Sequence, residues 1–221
     1  MKVVAFVPIK LNSERLPGKN IKKLRNGQPL ISYILNTLCE VKRLGSIDEA
    51  YVYCSDESIM SYLPSEIKFL KRSKYLDLSE TAFNEVLIKF SQDVNADIYV
   101  LTHATAPFIS SNTIINGINA VKNEGYDSAL AVERLQEFLW YEDKPLNYSP
   151  DNIPRTQDLT PYFKETCGMY VYTRNVIADL KRRIGNKPKL IEVSNYESID
   201  INNPEDFELA DAINTYRQLN K

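Results

Sequence analysis

What the chain has little of narrows its function first. It holds three cysteines and one histidine. Cys39, Cys54 and Cys167 are far apart, odd in number and in no CxxC pair, which excludes a disulfide framework and fits reduced thiols in a cytoplasmic protein. An excess of charge of one sign is also missing. Lys and Arg number 27 against 29 Asp and Glu, so no basic field argues for nucleic acid and any cation must act locally. No apolar run approaches the length of a transmembrane helix. Met1-Lys2 leads straight into a short strand-like run, unlike a signal peptide. Repeats, low-complexity tracts and linkers are absent. The expectation is a soluble cytoplasmic protein with no nucleic-acid or membrane partner. Its 221 residues suit one domain, 1–221, with a core that needs no metal or disulfide staple.

What is present is an alternation of strand-like and helix-like segments. Residues 3–8, 50–55, 67–70, 97–101 and 129–132 read as strands. Between them, the run from Pro29 carries Leu30, Ile31, Ile34, Leu35 and Leu38 at helical spacing, and 81–94 carries Phe83, Val86, Leu87 and Phe90 likewise. Residues 111–122 read as a helix capped by Ser110 or Ser111, and Asp56-Glu57 suits a helix start. Such alternation predicts an α/β fold, a mostly parallel sheet sandwiched by helices, with ligands at the carboxyl ends of its strands. The polar residues just past those ends are Lys10, Ser55-Asp56, Lys71-Arg72 and His103.

From 135 to 165 the rhythm breaks. Trp140, Tyr141, Tyr148, Tyr162 and Phe163 lie among prolines and charges without a helical period. Two readings stand, a lid over the site or an arm against a second subunit; aromatic residues with few apolar neighbours favour a contact surface. After it, 167–172 and 189–193 read as strands, 175–184 as a helix with Lys181, Arg182 and Arg183 near its C-terminus, and 204–219 as a closing helix.

One loop concentrates the chemistry. Between the first strand and the first helix lies Lys10-Leu-Asn-Ser-Glu-Arg-Leu-Pro-Gly-Lys-Asn20. It offers Lys10, Arg15 and Lys19, donors from Asn12, Ser13 and Asn20, and a turn at Gly18. A strand, a cationic turn and a helix is how α/β proteins hold phosphate; the same pattern also suits an ordinary solvated connection. It is not a Walker loop, which needs a second glycine and Ser or Thr straight after its lysine.

Val7-Pro-Ile-Lys10 followed by Ser13-Glu-Arg-Leu-Pro-Gly-Lys-Asn20 resembles the opening signature of the acylneuraminate cytidylyltransferases, which make CMP-activated acidic sugars, and more distantly that of the CMP-Kdo synthetases. The resemblance continues in order through Pro29-Leu-Ile-Ser-Tyr-Ile34, Cys54-Ser-Asp-Glu-Ser58 and Thr102-His-Ala-Thr-Ala-Pro-Phe108. It closes with Arg155-Thr-Gln-Asp-Leu-Thr-Pro-Tyr162, Gly168-Met-Tyr-Val-Tyr172 and Ser198-Ile-Asp-Ile-Asn-Asn-Pro-Glu-Asp-Phe207. It implies a Rossmann-like nucleotidyltransferase fold with a small dimerisation arm, and a homodimer. The implied reaction is attack of an acceptor oxygen on the α-phosphate of CTP, aided by Mg²⁺, with loss of pyrophosphate. Positioning and charge neutralisation would carry most of the catalysis.

Carried over residue by residue, Lys10, Arg15 and Lys19 would hold the triphosphate, with backbone N–H groups around Gly18. Asn12, Ser13 and Asn20 would help with the nucleotide. Arg72 would lie near cytosine, with Thr81 or a neighbour reading its edge. His103 stands where the family has a glutamine that contacts nucleotide or sugar; a lone histidine is otherwise most often structural. Arg155, with Gln157 beside it, is the implied partner of the acceptor's carboxylate. Asp200 is the metal candidate. The family has a second aspartate two residues on, on the same side of the strand; here that position is Asn202, a second metal candidate that can still ligate through its amide oxygen but without charge, so either Mg²⁺ binds more weakly through Asp200 or a carboxylate such as Asp56 contributes. Asp206 reads as solvated helix charge, with Asn203 as helix entry.

Two further departures stand out. Lys10 replaces an arginine, so a bidentate phosphate grip becomes a point charge, and on the acceptor side Ile109 stands where sialic acid enzymes usually carry arginine. Two competitors to the acidic-sugar reading follow: CTP-dependent transfer onto a small phosphate, phosphoramidate or phosphonate, and a non-catalytic nucleotide-binding protein.

Overall fold

The first strand decides the layers. In β1 (Val3–Ile9) alternate side chains face opposite ways. Val3, Ala5, Val7 and Ile9 join one apolar cluster, while Val4 and Phe6 join another. A strand buried on both faces must lie inside a sheet covered on both sides. The structure is a computed structural model that describes residues 1–219. In it β1 is flanked by β2 (Glu49–Cys54) and β4 (Ile98–Thr102), both parallel to it. The sheet has seven strands in the order β3-β2-β1-β4-β8-β5-β9, where β3 is Lys68–Lys71, β5 Ser128–Leu135, β8 Tyr162–Thr173 and β9 Pro188–Glu192.

One face is covered by α1 (Leu30–Arg43) and α3 (Ser111–Asn123), which bury Ile31, Ile34, Leu35, Leu38, Ile114 and Ile118. On α3, Gly117 permits close approach to the sheet, since a Cβ there would sit 2.7 Å from the Met169 side chain. The other face is covered by α2 (Phe83–Asp93), whose Phe90 stacks on Phe6 at 3.9 Å between ring centroids. Ser110 caps α3, its hydroxyl accepting from the Thr113 N–H at 3.2 Å. Among the described residues no helix is long and apolar enough to cross a membrane.

Several expectations change in detail. The sheet is mostly parallel, but β8 runs antiparallel to both β4 and β5. It begins at Tyr162, and the β5–β8 ladder reaches Leu135–Tyr162. The excursion is therefore an outgrowth of a long strand pair. It is tipped by a hairpin of β6 (Trp140–Tyr141) and β7 (Lys144–Pro145). The expected helix over 175–184 is a short π-helical turn, Val176–Leu180, stopped where Lys181 turns left-handed at φ 56°. The helix expected from residue 81 begins at Phe83. Past Asp56 there is a 3₁₀ segment, Glu57–Tyr62, with the Asp56 carboxylate accepting from the Ser58 N–H at 2.9 Å.

The closing helix, α4 (Pro204–Leu219), starts where expected, but Asp206 is not a solvated charge. Its carboxylate accepts from the N–H groups of Asn202 and Asn203 at 2.8 and 3.0 Å, and the Asn203 side chain accepts from the Asp206 N–H at 2.9 Å. This reciprocal capping box anchors the segment before the helix.

The chain runs outward from β1 to β2 and β3, then returns to β4 on the other side of β1. Where a doubly wound sheet reverses like this, the loops beyond the strand ends part and leave a crevice. The loops after β1 and β4 flank it.

Candidate active site

The crevice is a cleft of about 350 Å³ lined by Lys10, Ser13, Arg15, Lys19 and Asn20 from the first loop, and by His103, Ala104 and Thr105 after β4. Gly18 at φ 66° supplies the left-handed turn that sends Lys19 back into the cleft. Buried Asn20 donates its amide to the Lys10 carbonyl at 3.0 Å and so braces the loop. The N–H groups of Lys19 and Ile21 are spent on Leu16 and Gly18 carbonyls at 3.2 and 3.0 Å. Those two donors expected around Gly18 are thus taken, and side chains dominate the grip.

A distant segment holds these cations. Lys19 Nζ donates to the Ile201 carbonyl at 2.9 Å, Arg15 Nη2 to Asn202 Oδ1 at 2.9 Å, and Asn202 Nδ2 to Asp200 Oδ2 at 2.9 Å. Ile201 N–H donates to the Thr105 carbonyl at 2.8 Å, tying that segment to the β4 loop. Burial pushes the Lys19 ammonium below its ordinary pKa, against the attraction of Asp200. An anion arriving beside Lys19 therefore meets a cation already stripped of part of its water.

Asp200 Oδ1 is buried without a hydrogen-bond partner among the described residues. The described residues contain no group of three or more His, Cys, Asp or Glu able to hold a metal ion. Asp56 lies in a neighbouring cleft and Asn202 Oδ1 is engaged by Arg15. The orphaned oxygen suits a hard cation that takes its remaining ligands from phosphate and water, as Mg²⁺ does.

The neighbouring cleft, about 260 Å³, is lined by Leu11, Asn12, Ser55, Asp56, Lys74, Asp77 and Leu78. Arg72 stands behind this wall. It is buried, with Nη2 donating to Asp77 Oδ1 at 2.6 Å, and its Nε has no partner among the described residues. Thr81 donates its hydroxyl to the Tyr75 carbonyl at 2.6 Å in the loop leading to α2. Asn12 thus parts from Ser13 and faces this second cleft.

His103 Nδ1 lies 2.7 Å from the Cys167 carbonyl. A carbonyl only accepts, so Nδ1 carries the proton and Nε2 is left as an acceptor. Burial holds the imidazole down to about 4, with the Cys167 carbonyl opposing and Arg183 adding to the shift. It is neutral at physiological pH. The Phe83 ring lies 5.6 Å from the imidazole and Tyr170 packs edge-on at 6.5 Å.

Arg183 belongs to this group and was not singled out by the sequence, where it read as a helix-end charge. Its guanidinium lies 3.7 Å over the Tyr170 ring and 5.6 Å from that of Phe83. Arg155 and Gln157 are not brought to the cleft of their own chain. On the exposed arm, Arg155 makes a two-pronged pair with Asp158 at 2.7 and 3.1 Å, and the Gln157 carbonyl accepts from Gln136 at 2.9 Å. Ile109 is a core residue, 1 % exposed.

A family model described as cytidylyltransferase matches residues 4–219. The chain is 26 % identical to an N-acylneuraminate cytidylyltransferase of Oncorhynchus mykiss over 95 % of its own length and 49 % of the relative's. It is 29 % identical to the CMP-N,N'-diacetyllegionaminic acid synthase of Legionella pneumophila over 96 % of both chains. It spans about half the length of the two N-acylneuraminate cytidylyltransferases it matches first. Among solved structures, a CMP:2-keto-3-deoxy-manno-octonic acid synthetase complexed with CTP superposes with a TM-score of 0.70 at 16 % identity, covering 98 % of this chain and 100 % of that one.

Proposed function

The chain belongs to the cytidylyltransferase family, and from that premise we propose that it transfers CMP from CTP to an acidic sugar of sialic, legionaminic or Kdo type, releasing pyrophosphate. The observation that carries this reading is the convergence of Lys10, Arg15 and Lys19 on one cleft at the point where the sheet order reverses, with Asp200 near enough to attract the Lys19 ammonium.

The acceptor's oxygen forms a bond to the α-phosphorus as the bond to the bridging oxygen of pyrophosphate breaks. Negative charge builds on the departing group, and cations fixed beforehand stabilise it without reorganising. Lys19 is pinned by the Ile201 carbonyl and Arg15 by Asn202, so both arrive oriented. The second cleft, with Asn12 and the Arg72–Asp77 pair behind it, takes the nucleoside, and Thr81 belongs to the loop beside it. His103 Nε2, neutral and proton-free, accepts a hydrogen bond from an acceptor hydroxyl. Asp200 would hold Mg²⁺, which when bound supplies further positive charge at the phosphates. Asn202 would orient Asp200 and Arg15, its amide oxygen already accepting from the guanidinium.

The arm is read as a homodimer contact. Trp140 and Tyr141 are 59 % and 67 % exposed, and Ile153 and Phe163 add apolar surface. The test is pyrophosphate release from CTP and Mg²⁺ with a panel of sugar acids, small phosphates and phosphonates. Release with a sugar acid supports the proposal. Release with phosphonates alone, or CTP binding with no turnover, overturns it.

A further inference from the structure

We propose that Arg183, rather than Arg155, is the cation that receives the acceptor's carboxylate. The assignment rests on the acidic-sugar reading above and gives it a residue.

Three features of Arg183 point this way. The first is its unused donors. Only Nη2 is engaged, donating to the Tyr170 hydroxyl at 2.9 Å and lying 3.5 Å from Glu165 Oε2. Glu165 spends that same oxygen on a closer bond, accepting from the Tyr170 hydroxyl at 2.6 Å. Nε and Nη1 are free among the described residues, and Nη2 spends one of its two N–H groups here, so its second, beside that of Nε or of Nη1, can face the two oxygens of a carboxylate.

The second is how it is held. Tyr170 and Phe83 flank the guanidinium, and the side chain is only 24 % exposed. A cation fixed between rings and partly dried loses little freedom on binding and is weakly screened. Arg155 is the opposite case, 73 % exposed and already paired with Asp158.

The third is position. Phe83 and Tyr170 are the two rings that also touch His103, so Arg183 and the imidazole share one aromatic wall. Arg183 also lines a cavity of about 400 Å³ with Asn84 and Gly185. An acceptor whose hydroxyl meets His103 Nε2 can present a neighbouring carboxylate to Arg183. A hydrogen-bond acceptor beside a forked donor is complementary to a hydroxy acid.

The experiment takes the sugar acid that the wild-type protein uses best among N-acetylneuraminate, N,N'-diacetyllegionaminate and 3-deoxy-manno-octulosonate, together with its methyl ester. Arg183→Gln should raise the acceptor KM by about tenfold to a hundredfold, the worth of a charge-assisted hydrogen bond. It should leave CTP affinity within about twofold and collapse the preference for acid over ester, which a merely structural role would not do. Arg183→Lys, which keeps the charge without the fork, should fall between. An unchanged acid-to-ester ratio in Arg183→Gln, or a loss confined to Arg155→Gln, overturns the assignment while leaving the proposed function standing. A wild-type protein that uses none of the sugar acids overturns both.

Discussion

At one end of the cleft, Lys10, Arg15 and Lys19 come from a single loop, and the last two are steadied by one segment, 200–202, through bonds of 2.9 Å. Around His103 on the cleft's other wall, and outside the cleft's own lining, Phe83, Glu165, Tyr170 and Arg183 gather from α2, β8 and the turn after the π-helical segment. The first end is a grip for charge, which needs cations near one another and little shape. The second is a surface for shape, and its parts meet only when the sheet has formed. Local sequence therefore encodes a charge grip well and a shape-reading surface poorly.

The largest effect should come from the charged end. Lys19→Ala is expected to cut pyrophosphate release by roughly 10²–10³-fold, the scale of one lost transition-state donor. Its far-UV circular dichroism should be unchanged. If stability falls and turnover does not, Lys19 serves the Ile201 carbonyl alone and the contrast between the two ends fails. Asp200→Asn is expected next, shifting the Mg²⁺ titration midpoint upward by about tenfold or more, since one carboxylate then supplies no charge to the ion. An unchanged titration removes Asp200 as ligand.

The shape-reading end should answer to pH differently. The imidazole of His103 is held to about 4 against an ordinary 6.5. Between those values the unfolded chain binds the proton and the folded chain does not, so stability falls as pH drops from 6.5 toward 4. Thermal melts across that range should show a steeper loss for the wild type than for His103→Gln. Above pH 7, where the ring is neutral folded or unfolded, the two slopes should coincide. The smallest effect belongs to the scaffold. Asp206→Ala removes two bonds to the 202–203 backbone and should cost about 1 kcal/mol in urea unfolding with the slope unchanged.

Much of this architecture was legible because periodicity reports burial. The alternation in β1 and the helical spacing of Ile31, Ile34 and Leu38 state which faces are apolar. Strand direction is not written that way. Nothing in the 167–172 run says that it runs antiparallel; the return from the arm decides that. The pattern over 175–184 suits a helix, but Lys181 in the left-handed region ends it early. The capping role of Asp206 has a signal in the sequence, since Asn203 followed by an acid three residues on is a capping box. The Arg155–Asp158 pair has the same three-residue spacing. Arg183 had no such signal, because the rings that seat it lie at positions 83 and 170.

The claim beneath all of this is that the cations beyond β1 hold the polyphosphate of CTP. A crystal of the protein soaked with CTP and Mg²⁺ tests it most directly. The expected result is β- and γ-phosphate oxygens within hydrogen-bond reach of Lys10, Arg15 and Lys19, with the cytosine in the cleft beside Asn12. A nucleotide bound in another cavity, or those three side chains without a phosphate between them, would contradict it.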